Sequence, residues 1–391
     1  MRHSAFQRFQ ASPLPAESEE MWRYSRIADL DLDAYRLGGP DVTDVPPLVQ
    51  PILDAIGPRS ALVVGGRPVG PVAEGLTFDG PEAPVPVGAV AGEPDALVAL
   101  NAAFADLLSM KVGKGRALRH PIVVITWVDG EGAALFPRIV LDMGAAAEAR
   151  VVEIVASPDV ASLVVPVTEV EVADGAHLSY VTLQLLGPRV WQIGTQSSRL
   201  GRDSELTSYN VALGGDYARV RNESLLAGDG GTSRLLAMYF GQRRQMHDFA
   251  TLQSHGGKHT TSDLLFKGAV ANTSHAVYRG LIRVEKGAVG TNAFQTNRNL
   301  VLGEGAHADS VPNLEIEEND VRCSHASAVG PVDEEQRFYL ESRGVPPDVA
   351  DRLIVSGFLD DVVERVPVPE LLPWLRGALA TRLADAGVVA P

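Results

Sequence analysis

The chain has 391 residues, 45% of them hydrophobic, enough for two or three domains with a sizeable core. Its formal net charge of −15 argues against a nucleic-acid partner, whose phosphates would repel it, and no run reaches the roughly 18 apolar residues of a membrane span. The only cysteine, Cys323, excludes an internal disulfide framework and fits a reducing, cytoplasmic setting, and the opening MRHSAFQRFQASPLPAESEE lacks the apolar centre of a secretory signal.

Residues 1 to about 40 read as a polar arm with one anchor, Met21-Trp22-Arg23-Tyr24, suited to packing on the body or on a partner. A small α/β region follows, so that residues 1–145 form the first unit. In it SALVVGGRPV predicts two short strands about a Gly-Gly turn. Asp95 to Met110 places Leu97, Leu100, Phe104, Leu107 and Leu108 at helical spacing and predicts an amphipathic helix; PIVVITWV then predicts a buried strand.

Residues 146–330 change character. Short β-rich runs such as ARVVEIVAS, LSYVTLQLL, VWQIGTQSSRL, YARVRNESLL and TNAFQTNRNLVL recur about every 13 to 17 residues, separated by LGGD, AGDGG, SHGG, EKGAVG and LGEGA. A β-sandwich also repeats its strands, but this series is long and lacks tight hairpin signals such as Asn-Gly. The pattern therefore favours a solenoid of strands. Helices return over 331–391. Asp333 suits an N-cap with Gln336 at N3, and Gly344 suits the C′ position. A second helix sets Ala350, Leu353, Ile354, Gly357, Phe358 and Val362 on one face, and a third sets Leu372, Leu375, Leu379 and Leu383 on one face; these helices either cap the β region or dock a partner.

The glycine-rich stretches are not phosphate loops, since no GxxxxGK[ST] occurs and no GxGxxG joins a strand to a helix; VGKGR at Val112 to Arg116 reads as a basic loop. ATP hydrolysis by this chain alone is not expected. His247, His255 and His259 read as turn and strand-face residues, because Gly256-Gly257 breaks the helix that an HExxH zinc site needs. The acidic run from Glu315 to Asp320 reads as a solvated strand end. There is no GxSxG elbow, and the carboxylates are scattered over turns rather than clustered as a polysaccharide lyase needs. Cys323 and His325 stand at i and i+2 where strand-like sequence gives way to helix, so they share one face. They are either a small core pair or half of a metal site. An iron–sulfur cluster usually takes about four protein ligands, so a second chain would have to supply the rest.

The words QTNRNLVL, PNLEIEENDVRCSHASAVG and DEEQRFYLESRG resemble the signature of the SufB/SufD family of iron–sulfur cluster assembly proteins. The resemblance runs through Gln295, Asn297 and Leu300, through Pro312, Leu314, Glu315 and Ile316, through Cys323, Ser324 and His325, and through Phe338 to Gly344; HDFATLQSHGGKHTTSD and the N-terminal WRYSRI also fit. Ala326 and Ser327 depart from the family's usual Gly-Ala. A short chain without further cysteines is similar to the SufD side of the family. The resemblance implies a mainly β fold, a right-handed parallel β-helix between an N-terminal α/β region and C-terminal helices. It implies a non-catalytic scaffold in the cytoplasm that pairs with SufB through the β-helix. It further implies that two copies of the ATPase SufC bind the complex, with Leu353, Ile354 and Phe358 docking this chain on SufC. Cys323 and His325 would then be candidate ligands for iron or a nascent cluster shared with SufB, and isolated chains could form a homodimer. Two rival functions stand beside this one: a carbohydrate-active β-helix enzyme and a purely structural adaptor.

Overall fold

In the computed structural model, which describes residues 2–39, 42–79 and 95–387, the turn-separated runs alternate between two sheets. Sheet A stacks Val167–Val172, Val190–Leu200, Tyr217–Leu226, Met246–His255, His275–Val284 and His307–Ile316. Sheet B stacks Glu148–Ala156, His177–Leu185, Glu205–Ala212, Thr232–Gly241, Thr261–Ala271, Asn292–Leu302 and Arg322–Gly330. Every one of these neighbours pairs in parallel. The expected parallel β-helix is therefore present, and a sandwich of antiparallel strands is excluded. Each sequence unit is half a rung: register partners lie 26 to 32 residues apart, as in Trp191 with Tyr217 and His275 with His307. The parallel ladder begins before residue 146, with Ile122–Trp127 on Glu148–Ala156 and Asp106–Val112 on Pro137–Met143.

The repeat is set by one turn. Ala146, Gly175, Asp203, Gly230, His259 and Gly290 occupy the same corner of successive rungs, all with positive φ. Each donates its backbone N–H to a carbonyl of the next rung, as Gly230 does to Lys258 and Gly290 to Asp320. Glycine adopts this left-handed corner most readily and fills three of the six positions; at Gly290 a Cβ would also lie 2.3 Å from the His259 ring. His259 is thus a corner residue.

Period-two alternation sends one set of side chains between the sheets and the other outward. The interior is apolar near the start, with Leu141, Val151, Val170 and Leu178, and aromatic near the end, with Tyr239, Phe249, Phe266 and Tyr278. Buried Glu153 interrupts it. Tyr180 donates its hydroxyl to this carboxylate at 2.8 Å, yet burial still pushes the Glu153 pKa up to about 7.

Both outer faces are covered. On sheet A, Trp22 of the N-terminal arm is buried under the Arg219 guanidinium, 3.9 Å from its ring. Arg219 donates to the Met21 carbonyl at 2.7 Å and to Asp248 at 2.6 Å, and Arg279 and the Tyr217 hydroxyl complete the Asp248 site at 2.9 Å each. The arm also carries a helix that its polar sequence did not announce, α1 (Arg2–Ala11), whose Phe6 meets Phe104 edge-on. α2 (Gln50–Ile56) buries Ile52, Leu53 and Ile56. α3 (Ala96–Phe104) is capped by Asp95, which accepts from the Val98 N–H at 2.9 Å. This helix is shorter than its periodicity predicts. Leu107 and Leu108 belong to the strand Asp106–Val112, where parallel pairing with Arg138 and Ile139 takes up their backbone groups.

The C-terminal helices α4 (Glu334–Ser342), α5 (Pro347–Val363) and α6 (Leu372–Asp385) follow. Asp333 caps α4 as expected, accepting from Glu335 and Gln336, and Gly344 has φ +86. α5 and α6 do not cap the end of the solenoid. They lie on the outer face of sheet B, where Val355, Leu359, Val362, Leu375, Leu379 and Leu383 join Val152, Leu183, Tyr209 and Met238 in one core. The buried stripe of α5 is centred on Val355 and Leu359; Leu353 is exposed, and Ile354 and Phe358 flank the core.

Two stability outcomes follow from these buried charges. Asp248→Ala leaves Arg219 and Arg279 without their shared carboxylate and should cost about 3–5 kcal/mol in denaturant unfolding; a loss below ~1 kcal/mol would refute the role assigned to this cluster. Glu153 binds a proton in the folded state that the unfolded chain has released between pH 4.5 and about 7. Stability from this group is therefore full below pH 4.5 and lost as pH rises to 7. Glu153→Gln should match the wild type at pH 4.5 and exceed it by roughly 2–3 kcal/mol at pH 8, measured as the difference between the two unfolding curves.

Candidate functional site

Among the described residues Arg322–Gly330 is the last strand of sheet B and pairs on one side only, with Asn292–Leu302. Its other edge carries backbone donors and acceptors with no neighbour in the sheet. His307–Ile316 ends sheet A in the same way, paired only with His275–Val284. Both ladders thus stop at one open end of the solenoid, and Phe294, Ile316 and Val329 are exposed there.

Cys323 and His325 lie on this last strand and share its inward face, as their spacing requires. Cys323 sits opposite Ala293 and is half-buried against the small cluster of Ile282, Val284 and Ala293. Burial pushes the Cys323 thiol pKa above its ordinary value, and a backbone hydrogen bond at Ala293 works against that shift. His325 sits opposite Gln295 and is exposed. Gln295 is only 2% exposed, and neither of its amide atoms has a hydrogen-bond partner among the described residues. Gly280 makes room for it: a Cβ there would lie 2.2 Å from the Tyr278 hydroxyl and 2.5 Å from Gln295 Nε2.

A polar chain ties the last strand to the interior. The Ser327 hydroxyl bonds to Ser310 at 2.7 Å, and Ser310 donates to Asn297 Oδ1 at 2.7 Å. Asn299 donates to the same Asn297 oxygen at 2.8 Å, while Asn297 Nδ2 donates to the Tyr239 hydroxyl at 3.1 Å and Tyr239 donates to Asn299. Sequence reasoning did not single out this network. Its signal is the alternation of Gln295, Asn297 and Asn299, three polar residues on one strand face aimed at the interior.

The other candidates separate. His255 is a core residue held between Thr260 at 2.8 Å and Ser262 at 2.9 Å, and His247 is fully buried; burial lowers the pKa of both to about 4. Neither lies with His259 in a cluster of ligands. Within the acidic run, Glu318 caps two turns by accepting from the N–H groups of Gly287, Asn319 and Asp320, and Glu315 pairs with Arg283 at 2.8 Å. On α5, Lys267 reaches from sheet B to Asp361 at 2.8 Å and lies 4.6 Å from the centre of the Phe358 ring. α4 is held by Arg337, which forks onto Asp351 at 2.7 and 2.8 Å, and it leaves Phe338 71% and Tyr339 58% exposed near Leu353 of α5 in sequence.

The family model described as "SUF system FeS cluster assembly, SufBD core domain" matches residues 126–358, which is more than half of the chain. The chain belongs to the SufBD family. The SufBD match takes in the rungs from Thr126 onward, the last strand with Cys323 and His325, α4 and most of α5. An iron–sulfur cluster assembly SufBD family protein of Mycobacterium tuberculosis is 38% identical over 223 residues, 55% of this chain and 56% of that protein. The iron–sulfur cluster assembly protein SufD of Escherichia coli is 32% identical over 225 residues, 57% of this chain and 53% of that protein. SufD of Bacillus subtilis is 33% identical over 204 residues, 52% of this chain and 46% of that protein. The chain thus spans about half the length of the curated relatives it matches. Among the described residues no helix is long and apolar enough to cross a membrane.

The raised Cys323 pKa has a direct consequence. In the unpartnered SufBD chain, alkylation by iodoacetamide should be slow at pH 7 and still accelerating at pH 9, since only the thiolate reacts. A rate plateau reached below pH 8 would contradict the burial described for this thiol.

Proposed function

We propose that this chain is a non-catalytic scaffold subunit of the SufD type. It offers the open end of its solenoid to a SufB-type partner and contributes half of a site for iron or a nascent iron–sulfur cluster. The observation that carries the reading is that Cys323 and His325 share the inward face of a strand whose outer edge is unpaired. A second solenoid ending in a similar strand could continue the ladder by backbone pairing, which would bring its own thiolates to this face. Neutral imidazole is a good ligand for iron, and His325 is the more accessible of the two side chains. Cys323 contributes chiefly by packing. The nascent cluster is cargo, held jointly and passed on.

In this reading the chain works in the cytoplasm as an arm with an α/β region (1–145) whose last strands already join the ladder, a solenoid (146–330) and a helical region (331–391). The helical region takes the ATPase partner, of the SufC type, which supplies the hydrolysis. Leu353 is the exposed apolar residue of α5, and Phe338 and Tyr339 of α4 extend the surface; Ile354 and Phe358 support it from the flank. Without the SufB-type partner, the same open edge would allow a homodimer.

Two experiments test the two halves. In the complex purified without oxygen, His325→Ala should cut bound iron and cluster absorbance several-fold with an unchanged circular dichroism spectrum, and Cys323→Ala should cut them less. Normal iron in the His325→Ala complex would return the pair to core packing. For the ATPase, truncating the helices would strip the apolar cover from sheet B, so the cleaner variant is Leu353→Asp with Phe338→Ala. It should weaken co-purification of the ATPase by about tenfold or more, in keeping with loss of a central apolar anchor, while the SufB-type partner stays bound. Full retention of the ATPase would sink this assignment.

A further inference from the structure

Sheet A ends in a second constellation. His275 and His307 open successive strands, and the parallel register sets them directly opposite one another. Asp309 follows His307 by two and so shares its outer face. His275 Nε2 lies 2.7 Å from Asp309 Oδ2, and His307 Nε2 lies 3.3 Å from the same oxygen. The rings stand 5.1 Å apart at 44°, and one ligand atom from each residue falls within 4.8 Å of the others. Among the described residues no lysine or arginine pairs with Asp309. The geometry points to a binding site for a divalent first-row transition-metal ion, formed by His275, His307 and Asp309.

Ligand atoms about 2.0–2.2 Å from one ion and adjacent in its coordination sphere stand roughly 3 Å apart. Both nitrogen–oxygen pairs already have that spacing, and all three ligand atoms lie within 4.8 Å of one another, so side-chain adjustment is enough to seat an ion. The supports are firm. His275–Val284 is paired on both sides, and the strand bearing His307 and Asp309 is in register with it over its whole length. Two neutral imidazoles and one carboxylate carry a single negative charge, which suits a dication. Their nitrogen content selects ions such as Fe²⁺, Co²⁺ and Zn²⁺ over Mg²⁺ and Ca²⁺, which prefer oxygen. The His307 side chain is 66% exposed, so water could fill the remaining positions and the ion would exchange. This site lies on the outer face of sheet A, whereas Cys323 and His325 are on the inner face of sheet B. All three side chains of the site belong to this chain, and no partner is needed to complete it.

The test uses Co²⁺ alone with the full chain at pH 7.5, followed by calorimetry and by visible absorption. The wild type should bind about one equivalent with imidazole-type absorption bands and melt at a higher temperature in its presence. His307→Asn and Asp309→Asn should each weaken binding at least about tenfold and abolish the metal-dependent melting shift; their metal-free melting curves report folding. Should Asp309→Asn unfold, the solvent-facing His307→Asn decides alone. The Cys323→Ala/His325→Ala double variant should bind as the wild type does. At pH 5.5 wild-type affinity should fall, because protons compete for the imidazoles. No Co²⁺ binding by the wild type, undiminished binding in His307→Asn, or loss of binding in the double variant in place of His307→Asn would each overturn the site.

Discussion

Every strand inside a parallel ladder satisfies its backbone through the rung before it and the rung after it, and the last rung has only one neighbour. That constraint organises this molecule. The outer face of sheet B is taken by α5 and α6, and much of the outer face of sheet A by the arm around Trp22. Apolar surface on the body is therefore largely used up internally. Among what is left over are the pair of unpaired edges at Arg322–Gly330 and His307–Ile316 and the exposed aromatic side of α4. The residues with chemistry, Cys323 and His325 on one edge and His307 with Asp309 on the other, sit where the ladder stops.

An edge strand with one neighbour would fray unless something else held it. Here the interior holds it. Ser327 on the last strand of sheet B is bonded to Ser310 on the last strand of sheet A, and both hang from the Asn297, Asn299 and Tyr239 network one or more rungs deeper. A buried polar network is costly when half satisfied and rigid when satisfied. It keeps the end of the solenoid in register while leaving the outward backbone groups free. Gln295, buried beside this network and opposite His325, has an amide with no hydrogen-bond partner among the described residues.

Much of this was legible in the sequence. The β runs, their lack of hairpin turns, the Asp333 cap and the apolar stripe of α6 all follow from short-range pattern, and the structure has them where the pattern put them. The Leu107-Leu108 pair misled because two adjacent leucines satisfy a helical period and a buried strand equally, and the choice was made by strand partners far away in sequence. Trp22 could be recognised as an anchor, but not the guanidinium that covers it, since Arg219 is supplied by a rung almost 200 residues later. The shared face of Cys323 and His325 could be read from spacing alone. His275 and His307 could not be joined that way: they meet only through a register fixed by corners whose lengths vary from rung to rung. Three of the family signature's words fall on the last three strands and on α4, at the open end of the solenoid and just beyond it.

The central claim is that the unpaired edge of the last rung is where a partner solenoid adds. Hydrogen exchange of the amides in Arg322–Gly330, compared in the isolated chain and after addition of a SufB-type partner, tests it most directly. The account predicts fast exchange in the isolated chain for those amides that point away from Asn292–Leu302. It predicts strong slowing of the same amides in the complex, with the interior rungs unchanged. Protection that appears elsewhere on the body while this strand continues to exchange freely would contradict it.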